Sequence, residues 1–238
     1  MVAIECVSRT HVGLRRKVNE DSILVRTDRG LWAVADGMGG HDAGDVASAK
    51  VTEALLHLPT VYRPDDLVEC AITALNRVNQ ELILLAGSGE TPRTIGSTVV
   101  GLVIAEGQYR CFWAGDCRAY RVRGAEVARL TRDHSLVQDL VDAGMLDAAE
   151  ADGHPNSNVV TRAIGVVTDL KIDTVSGDAL AGDQFLLASD GLTRLIEDAE
   201  LRAILLAMQP AEAVEKLIDT VLERGAPDNV SIILVKVA

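Results

Sequence analysis

Residues 31–37 read LWAVADG, five apolar residues followed by Asp36 and Gly37. A short apolar run bounded by turn residues predicts a buried β-strand, and this strand leads directly to a carboxylate. The same arrangement recurs three times: Asp116 follows 112–115, Asp190 follows 185–189, and Asp228 with Asn229 precedes the apolar run 230–237. The sequence therefore predicts a sheet protein in which four carboxylates stand at strand ends.

Other apolar runs of strand length lie along the chain and are rich in β-branched residues. Turns at 27–30, 106–107 and 123–124 join neighbouring runs without room for a crossover helix, so we expect these strands to pair antiparallel. The predicted strands are 22–26, 31–35, 98–106, 108–114, 118–123, 183–188 and 230–237.

Four segments carry apolar residues at helical spacing: 44–58, 64–86, 198–208 and 210–224. The first two are expected to form one antiparallel pair and the last two another. Antiparallel strands with two segregated helix pairs predict an α+β fold. It consists of two antiparallel β-sheets packed as a sandwich, flanked on each side by an antiparallel helix pair. No linker-like stretch divides the chain, so we expect a single domain over 1–238.

Composition narrows the class of protein. Of the 238 residues, 48% are apolar and 24% are charged, which is typical of a globular protein with a sizeable core. The net charge of −12 disfavours binding to nucleic acid and to anionic membranes. No apolar stretch reaches the roughly 20 residues of a membrane span, and no secretory signal is visible, so we expect a cytoplasmic protein. The four cysteines lack a Cys-x-x-Cys pair and are expected to be reduced.

The aspartates at strand ends suggest a metal site. Each Asp-Gly step alone is also typical of a hairpin turn. Clustered carboxylates, however, repel and raise each other's pKa unless a cation neutralises them. Oxygen-only ligands suit magnesium or manganese, and the lack of a His/Cys cluster argues against zinc. Arg16 is a candidate to bind phosphate beside such a cluster, with Arg15 as the alternative, because the planar guanidinium binds phosphate bidentately.

Eight short motifs extend this pattern over the whole chain. They are RxxNED at 16–21, ADGMGGH at 35–41, GST at 96–98, GDCR at 115–118, DHSL at 133–136, TRAIG at 161–165, ASDGL at 188–192 and DNVS at 228–231. In this order the set resembles the metal-dependent serine/threonine protein phosphatases of type 2C, the PPM-type phosphatases, in their compact bacterial form. The fold of that family agrees with the fold that the periodicity predicts.

The resemblance implies two core ions, Mn²⁺ or Mg²⁺, and a weaker third ion. It also implies that Arg16 binds the substrate phosphate. The implied metal-binding residues are Asp36 bridging both core ions, the Gly37 carbonyl on one, Asp190 and Asp228 on the other, Asp116 with Asp190 at the third, and Glu20 and Asp21 holding metal-bound waters in the outer shell.

Such a site allows direct hydrolysis, because two metals that share a water lower its pKa and aim a bridging hydroxide in line at phosphorus. No competing serine nucleophile is visible, since there is no Gly-x-Ser-x-Gly elbow. The leaving alkoxide still needs a proton. Met38 stands where animal members of the family carry a histidine, so the acid is either His41 or a metal-bound water.

The sequence thus predicts a monomeric protein serine/threonine phosphatase. Its partners would be phosphoprotein substrates of a cellular serine/threonine kinase. One alternative is a catalytically silent, phosphatase-like regulator that binds phosphoproteins, although intact Asp36, Asp190 and Asp228 speak against it. Another is a hydrolase of small phosphate esters. Residues 135–158 are predicted to form a flap beside the active site, and Cys117 is either a buried inert thiol or an oxidation-sensitive one.

Overall fold

The computed structural model describes residues 3–39, 43–61, 63–88, 94–151 and 153–238. Within these ranges the chain forms a five-stranded and a six-stranded sheet, and every pairing is antiparallel. The sheets pack face to face, with helices on both outer faces. The predicted α+β sandwich is therefore confirmed. In the described part of the chain, no helix has the length and apolar character needed to cross a membrane.

The first sheet has the order β1-β11-β10-β7-β8, and the second has the order β2-β3-β5-β6-β9 with the short β4 paired to β3. The strands are β1 Ile4–His11, β2 Asp21–Arg26, β3 Leu31–Met38, β4 Gly96–Ser97, β5 Val99–Ala105, β6 Gln108–Ala114, β7 Arg118–Arg123, β8 Glu126–Arg129, β9 Asp173–Asp178, β10 Gln184–Ala188 and β11 Val230–Val237.

Helices α1 and α2 cover the six-stranded sheet, and α5 and α6 cover the five-stranded sheet. Proline at the first position of α2 and of α6 favours a helix start there. The helices are α1 Gly44–Leu56, α2 Pro64–Gly87, α3 Leu136–Asp142, α4 Asp190–Thr193, α5 Asp198–Ala207 and α6 Pro210–Glu223, with 3-10 turns at Thr27–Arg29 and Ala148–Glu150.

The core is divided into three apolar layers, because both faces of each sheet are covered. Strand β3 shows how alternation feeds two layers: Leu31 and Ala33 face α1 and α2, whereas Trp32 and Val34 face the other sheet. Both sets are almost fully buried. Central strands buried on both faces become continuous apolar runs, and this is why the sequence identifies them.

The sequence prediction missed four strands, β1, β4, β8 and β9. Strand β4 has only two residues, and the other three lie at sheet edges. Edge strands keep one face in water, so polar residues interrupt their apolar pattern; β9, for example, alternates between partly buried and exposed residues. An apolar-run criterion therefore finds the central strands and the edge strand β2, and it overlooks the edge strands whose apolar pattern is interrupted.

Some predicted boundaries were also wrong. Strand β3 does not end at Ala35 but continues to Met38, because Gly37 and Met38 pair with β4. Helix α1 ends at Leu56 rather than at 58. The consequence for the site is that Asp36 lies within a paired strand, which fixes its backbone on both sides.

Candidate active site

The predicted site residues meet around one cavity of about 260 Å³, located where β3, β6, β10 and β11 bring their aspartates together. The lining residues are Arg16, Glu20, Asp36, Gly37, Met38, Gly39, Thr98, Asp116, Asn158, Val160, Asp190, Arg194 and Asp228. Asp21 is buried next to this group. His41 lies outside the described residues, and among the described residues Arg15 does not line the cavity.

Asp36 and Asp21 are brought together by strand register. They are direct partners across β2 and β3, so their side chains leave the sheet on the same face. The backbone carbonyl of Asp36 accepts hydrogen bonds from the Thr98 amide at 2.8 Å and from the Ser97 hydroxyl at 3.1 Å. The backbone of Asp36 is thus held by its pairing with β2 and by Ser97 and Thr98 at the junction of β4 and β5.

Close backbone approach fixes the floor of the cavity. A Cβ atom on Gly37 would lie 2.0 Å from the Gly44 carbonyl oxygen, and a Cβ on Gly44 would lie 2.4 Å from Oε1 of Glu20. At Gly37 the obstructing atoms are backbone, so this position requires glycine, whereas a Cβ on Gly44 would displace the Glu20 side chain. The Gly37 amide also donates to the Glu20 carbonyl at 3.1 Å. The start of α1 therefore packs directly against β3 and the Glu20 side chain.

Asp190 is the first residue of α4 and follows β10 by two positions, while Asp116 follows β6. Both carboxylates contact one guanidinium: Nη2 of Arg194 lies 2.8 Å from Asp190 Oδ2 and 3.5 Å from Asp116 Oδ2. The other oxygen of Asp190, Oδ1, is buried and has no hydrogen-bond partner in the described part of the chain. Asp190 consequently has one oxygen engaged and one free.

Asp21 shows the same division between its two oxygens. The Ser189 hydroxyl donates to Oδ2 at 2.8 Å, whereas Oδ1 is buried and none of the described residues bonds to it. Burial is the main cause that raises the pKa of Asp21 to about 7, and Asp190 and Asp228 raise this pKa further. A buried carboxylate oxygen without a partner is costly unless a cation or a water satisfies it.

The cluster as a whole holds more negative charge than its surroundings stabilise. Burial, followed by the charges of Asp190, Asp21 and Asp116, raises the pKa of Asp36 well above its usual range. Burial and then Asp190 raise the pKa of Asp116 to about 7. Among the described lining residues the charged donors are carboxylate oxygens, and none is a histidine or a thiolate. This set fits a hard divalent ion such as Mg²⁺ or Mn²⁺, which would neutralise the cluster.

The carboxylate side chains lie around the cavity, but they do not converge on a common metal position in the described part of the chain. Within the described ranges, no three acidic, histidine or cysteine side chains lie together in a way that could hold a metal ion. Two guanidinium groups lie among the carboxylates instead. Arg16 Nη2 contacts Asp228 Oδ2 at 2.8 Å, and Arg194 contacts Asp190 and Asp116. Binding of divalent ions therefore requires rotations of these carboxylate side chains.

Asn229 is a site residue that the sequence did not single out. Its Oδ1 accepts from the Glu20 amide at 2.8 Å, and its Nδ2 donates to the carbonyls of Val12 at 2.8 Å and Val18 at 3.1 Å. One buried amide thus holds both ends of the loop 12–20, which carries Arg16 at its middle. An asparagine before an apolar run has no chemical signature of this role, so only the structure could reveal it.

Arg194 and Ser189 were missed as well. Arg194 lies four residues after Asp190, a spacing that places both on one side of a helical turn, and this was the available signal. Ser189 precedes Asp190 in the ASDGL motif and contacts Asp21. Cys117 is buried, with its thiol 3.0 Å from the Thr98 hydroxyl, and burial raises the pKa of this thiol well above its usual range.

The C-terminal end of the predicted flap, residues 135–158, lies beside the cavity. Asn158 lines the cavity, as does Val160 just beyond the segment 135–158. The segment begins with α3, where the Ser135 hydroxyl caps the helix by accepting from the Gln138 amide at 3.3 Å. The segment therefore opens with a short capped helix, Leu136–Asp142.

Comparison with known proteins agrees with this fold and site. The family model described as protein phosphatase 2C matches residues 10–236. The chain therefore belongs to the protein phosphatase 2C family.

Two curated relatives illustrate the range of lengths in which this domain occurs. Protein phosphatase PhpP of Streptococcus pneumoniae is 35% identical over 236 residues, covering 95% of this chain and 94% of PhpP. Serine/threonine protein phosphatase PstP of Mycobacterium tuberculosis is 33% identical over 236 residues, covering 99% of this chain. This chain spans 45% of the length of PstP.

Solved structures of relatives superpose over nearly the whole chain. PppA, described as a key regulatory component of T6SS in Pseudomonas aeruginosa, has a TM-score of 0.90 and 40% identity, covering 100% of this chain and 99% of its own. The catalytic domain of PstP, solved in complex with two manganese ions, has a TM-score of 0.88 and 31% identity, covering 99% of both chains. The shared fold is thus accompanied by substantial sequence identity.

Proposed function

We propose that this chain is the catalytic domain of a metal-dependent protein serine/threonine phosphatase, with residues 1–238 forming one domain. The observation that carries the proposal is the convergence of buried carboxylates and Arg16 on one cavity in a protein phosphatase 2C fold. Manganese or magnesium is the proposed cofactor, supported by the oxygen-only donor set and by the two manganese ions in the PstP catalytic domain.

The proposed metal-binding residues are those that the family resemblance implies, and their positions around the cavity support them. Asp36 lies centrally, beside both Asp21 and Asp190, and is proposed to bridge two ions. The remaining assignments are the Gly37 carbonyl on one ion, Asp190 and Asp228 on the other, and Glu20 and Asp21 in the outer shell. When bound, the ions supply a nucleophile at neutral pH and charge neutralisation at phosphorus.

The protein's own contribution is binding and orientation of the phosphate. Arg16 is proposed to release Asp228 once metal ions neutralise that carboxylate, and then to bind two phosphate oxygens through its planar fork. Its side chain is 47% exposed, so it can move without disturbing the core. His41 keeps its sequence-based prediction as one of two candidates for the acid.

Substrates are proposed to be phosphoserine and phosphothreonine in proteins phosphorylated by a cellular serine/threonine kinase. Curated relatives described as serine/threonine phosphatases support this substrate class. The kinase partner, the monomeric state and the cytoplasmic location stay predictions from the sequence.

The proposal is tested by hydrolysis of a phosphothreonine peptide with Mn²⁺, with excess chelator, and with the variant D190N. Chelator is expected to abolish activity, and D190N is expected to lower kcat/KM by about 100-fold or more, because a ligand charge is lost while side-chain size is kept. D219N is the matched control, since Asp219 is exposed on α6 and changes the net charge equally. Wild-type protein without metal-dependent turnover on several phosphopeptides would leave the silent regulator as the better account.

A further inference from the structure

The Asp116–Asp190 end of the cavity already contains a cation. A single nitrogen, Nη2 of Arg194, contacts Oδ2 of both carboxylates, at 2.8 Å from Asp190 and 3.5 Å from Asp116. Arg194 lines the main cavity and also an adjoining cavity of about 90 Å³ that shares Asp116 and Asp190. Its positive charge therefore lies where a third metal ion, expected from the sequence, would have to bind.

The two oxygens of Asp190 make this arrangement compatible with a metal at the centre of the cavity. Oδ2 faces Arg194, while the buried Oδ1 has no hydrogen-bond partner among the described residues and can bind a core ion. Asp116 is 9% exposed and has only this guanidinium as an ion-pair partner among the described residues. Without Arg194, Asp116 would be a buried carboxylate with no neutralising group.

Formal charges around the cavity lead to the same conclusion. The six carboxylates of Glu20, Asp21, Asp36, Asp116, Asp190 and Asp228 carry six negative charges. Two divalent ions and the two guanidinium groups of Arg16 and Arg194 supply six positive charges. A third divalent ion placed between Asp116 and Asp190 would face the like charge of Arg194 at close range.

We propose that Arg194 is a built-in cation that takes the place of the third metal ion, so that this chain works with two. This inference rests on the proposed two-metal phosphatase function. Arg194 acts as a positioning residue: it neutralises Asp116 and directs Oδ1 of Asp190 toward the core ions. The expectation of a third ion, carried over from the family resemblance, is replaced by this proposal for the present chain.

The test is Mn²⁺ binding to metal-stripped full-length chain by isothermal titration calorimetry, alongside hydrolysis of a phosphothreonine peptide. Wild type and R194K, which keeps the positive charge, are expected to bind two ions. R194A is expected to bind a third ion at least roughly tenfold more tightly than wild type does. R194A/D116N is expected to return to two ions, because the ligand of the third ion is then lost.

Two controls separate this effect from other causes. R202A removes an equal charge from an exposed arginine on α5 that bonds only the Ala125 carbonyl, and it is expected to leave Mn²⁺ binding unchanged. D116N in the wild-type background provides a second measurement that needs no arginine variant. It is expected to keep two ions, and the loss of one ion on this substitution would overturn the proposal.

Other outcomes have distinct meanings. Identical Mn²⁺ isotherms for wild type and R194A, with wild-type hydrolysis intact, would overturn the role of Arg194 and leave the proposed function standing. If R194A instead weakened inhibition by inorganic phosphate without changing the Mn²⁺ isotherm, Arg194 would be a phosphate-binding residue. Wild type that neither binds Mn²⁺ nor hydrolyses the peptide would overturn both proposals.

Discussion

The two ends of the cavity each pair an arginine with an aspartate, but the pairs are built in different ways. At one end Arg16 contacts Asp228, which is 212 positions away in the sequence. At the other end Arg194 contacts Asp190, four positions earlier, across one helical turn. The first pair depends on how a loop packs against a distant strand, whereas the second is specified almost locally.

Because of this difference, the position of Arg16 depends on contacts outside the cavity, whereas that of Arg194 depends mainly on its own helical turn. Asn229 holds the loop 12–20 at both ends, and the Leu14 amide adds a hydrogen bond to the Ala226 carbonyl at 2.8 Å. These contacts place Arg16 over Asp228. No comparable clamp is needed for Arg194, because the helical turn itself brings it to Asp190. Mutations distant from the cavity should therefore disturb the Arg16 end more than the Arg194 end.

The largest effect in this comparison is expected for Arg16. Replacing it in R16A removes the proposed bidentate phosphate contact, and we expect kcat/KM for a phosphothreonine peptide to fall by roughly 100-fold. The inhibition constant of inorganic phosphate should rise in parallel. R15A is the matched control, since it removes the neighbouring charge from outside the cavity lining. Equal losses in R15A and R16A would contradict the assignment of the phosphate contact to Arg16.

A smaller effect is expected from the clamp behind Arg16. In N229A the loop 12–20 loses three hydrogen bonds, so we expect a roughly tenfold rise in the inhibition constant of phosphate and faster hydrogen exchange at the Glu20 amide. If Asn229 acts through Arg16, the double variant R16A/N229A should bind phosphate no more weakly than R16A alone.

Asn79 offers a matched control for this experiment. It is also a buried asparagine that clamps backbone, accepting from the Gly165 amide at 2.6 Å and donating to the Val167 carbonyl at 2.8 Å. N79A and N229A should each lower the free energy of unfolding by about 1–3 kcal/mol, because in each variant backbone groups lose their hydrogen bonds to the asparagine side chain. Phosphate inhibition should remain at the wild-type value in N79A, and a rise there would reduce the Asn229 effect to a general loss of stability.

The smallest effect concerns stability at the Asp116 end as a function of pH. His134 is 2% exposed, and its Nδ1 accepts from the Gly115 amide at 3.1 Å, next to Asp116. Burial lowers the pKa of His134 and outweighs the opposing influence of Asp173. On acidification the unfolded chain therefore binds a proton near the ordinary histidine pKa of about 6.5, before the folded chain does.

It follows that the stability which neutral His134 provides at pH 7.5 is lost as the pH falls below that value. Urea unfolding in chelator at pH 7.5 and 5.5 should show a larger decrease in unfolding free energy for wild type than for H134Q. The carboxylates with raised pKa contribute with the opposite sign, but they are common to both proteins and cancel in the difference. H57Q, at an exposed histidine on the other side of the sheet, should behave as wild type. Parallel pH dependences for wild type and H134Q would contradict the proposed titration.

Much of this architecture could be predicted from the sequence, and the successes share one physical feature. Central strands such as β3 and β10 are buried on both faces, so their apolar runs are continuous, and their terminal aspartates stand out. Helices α2 and α6 have an apolar stripe and a proline start. The edge strands β1 and β9 lack such a signal, because half of each strand faces solvent.

The fold class and the carboxylates and arginine that line the cavity could be predicted from the sequence alone. Buried strands with charged residues at their ends have a local pattern of residue types that can be recognised before folding. The tertiary structure alone decided how those groups are arranged: which oxygen of Asp190 is free, how Asn229 holds the Arg16 loop, and that Arg194 lies between Asp116 and Asp190. Apart from the four-residue spacing of Asp190 and Arg194, these features depend on contacts between residues far apart in the chain, such as Asn229 with the loop 12–20 and Arg194 with Asp116, and spacing along the sequence does not give those contacts.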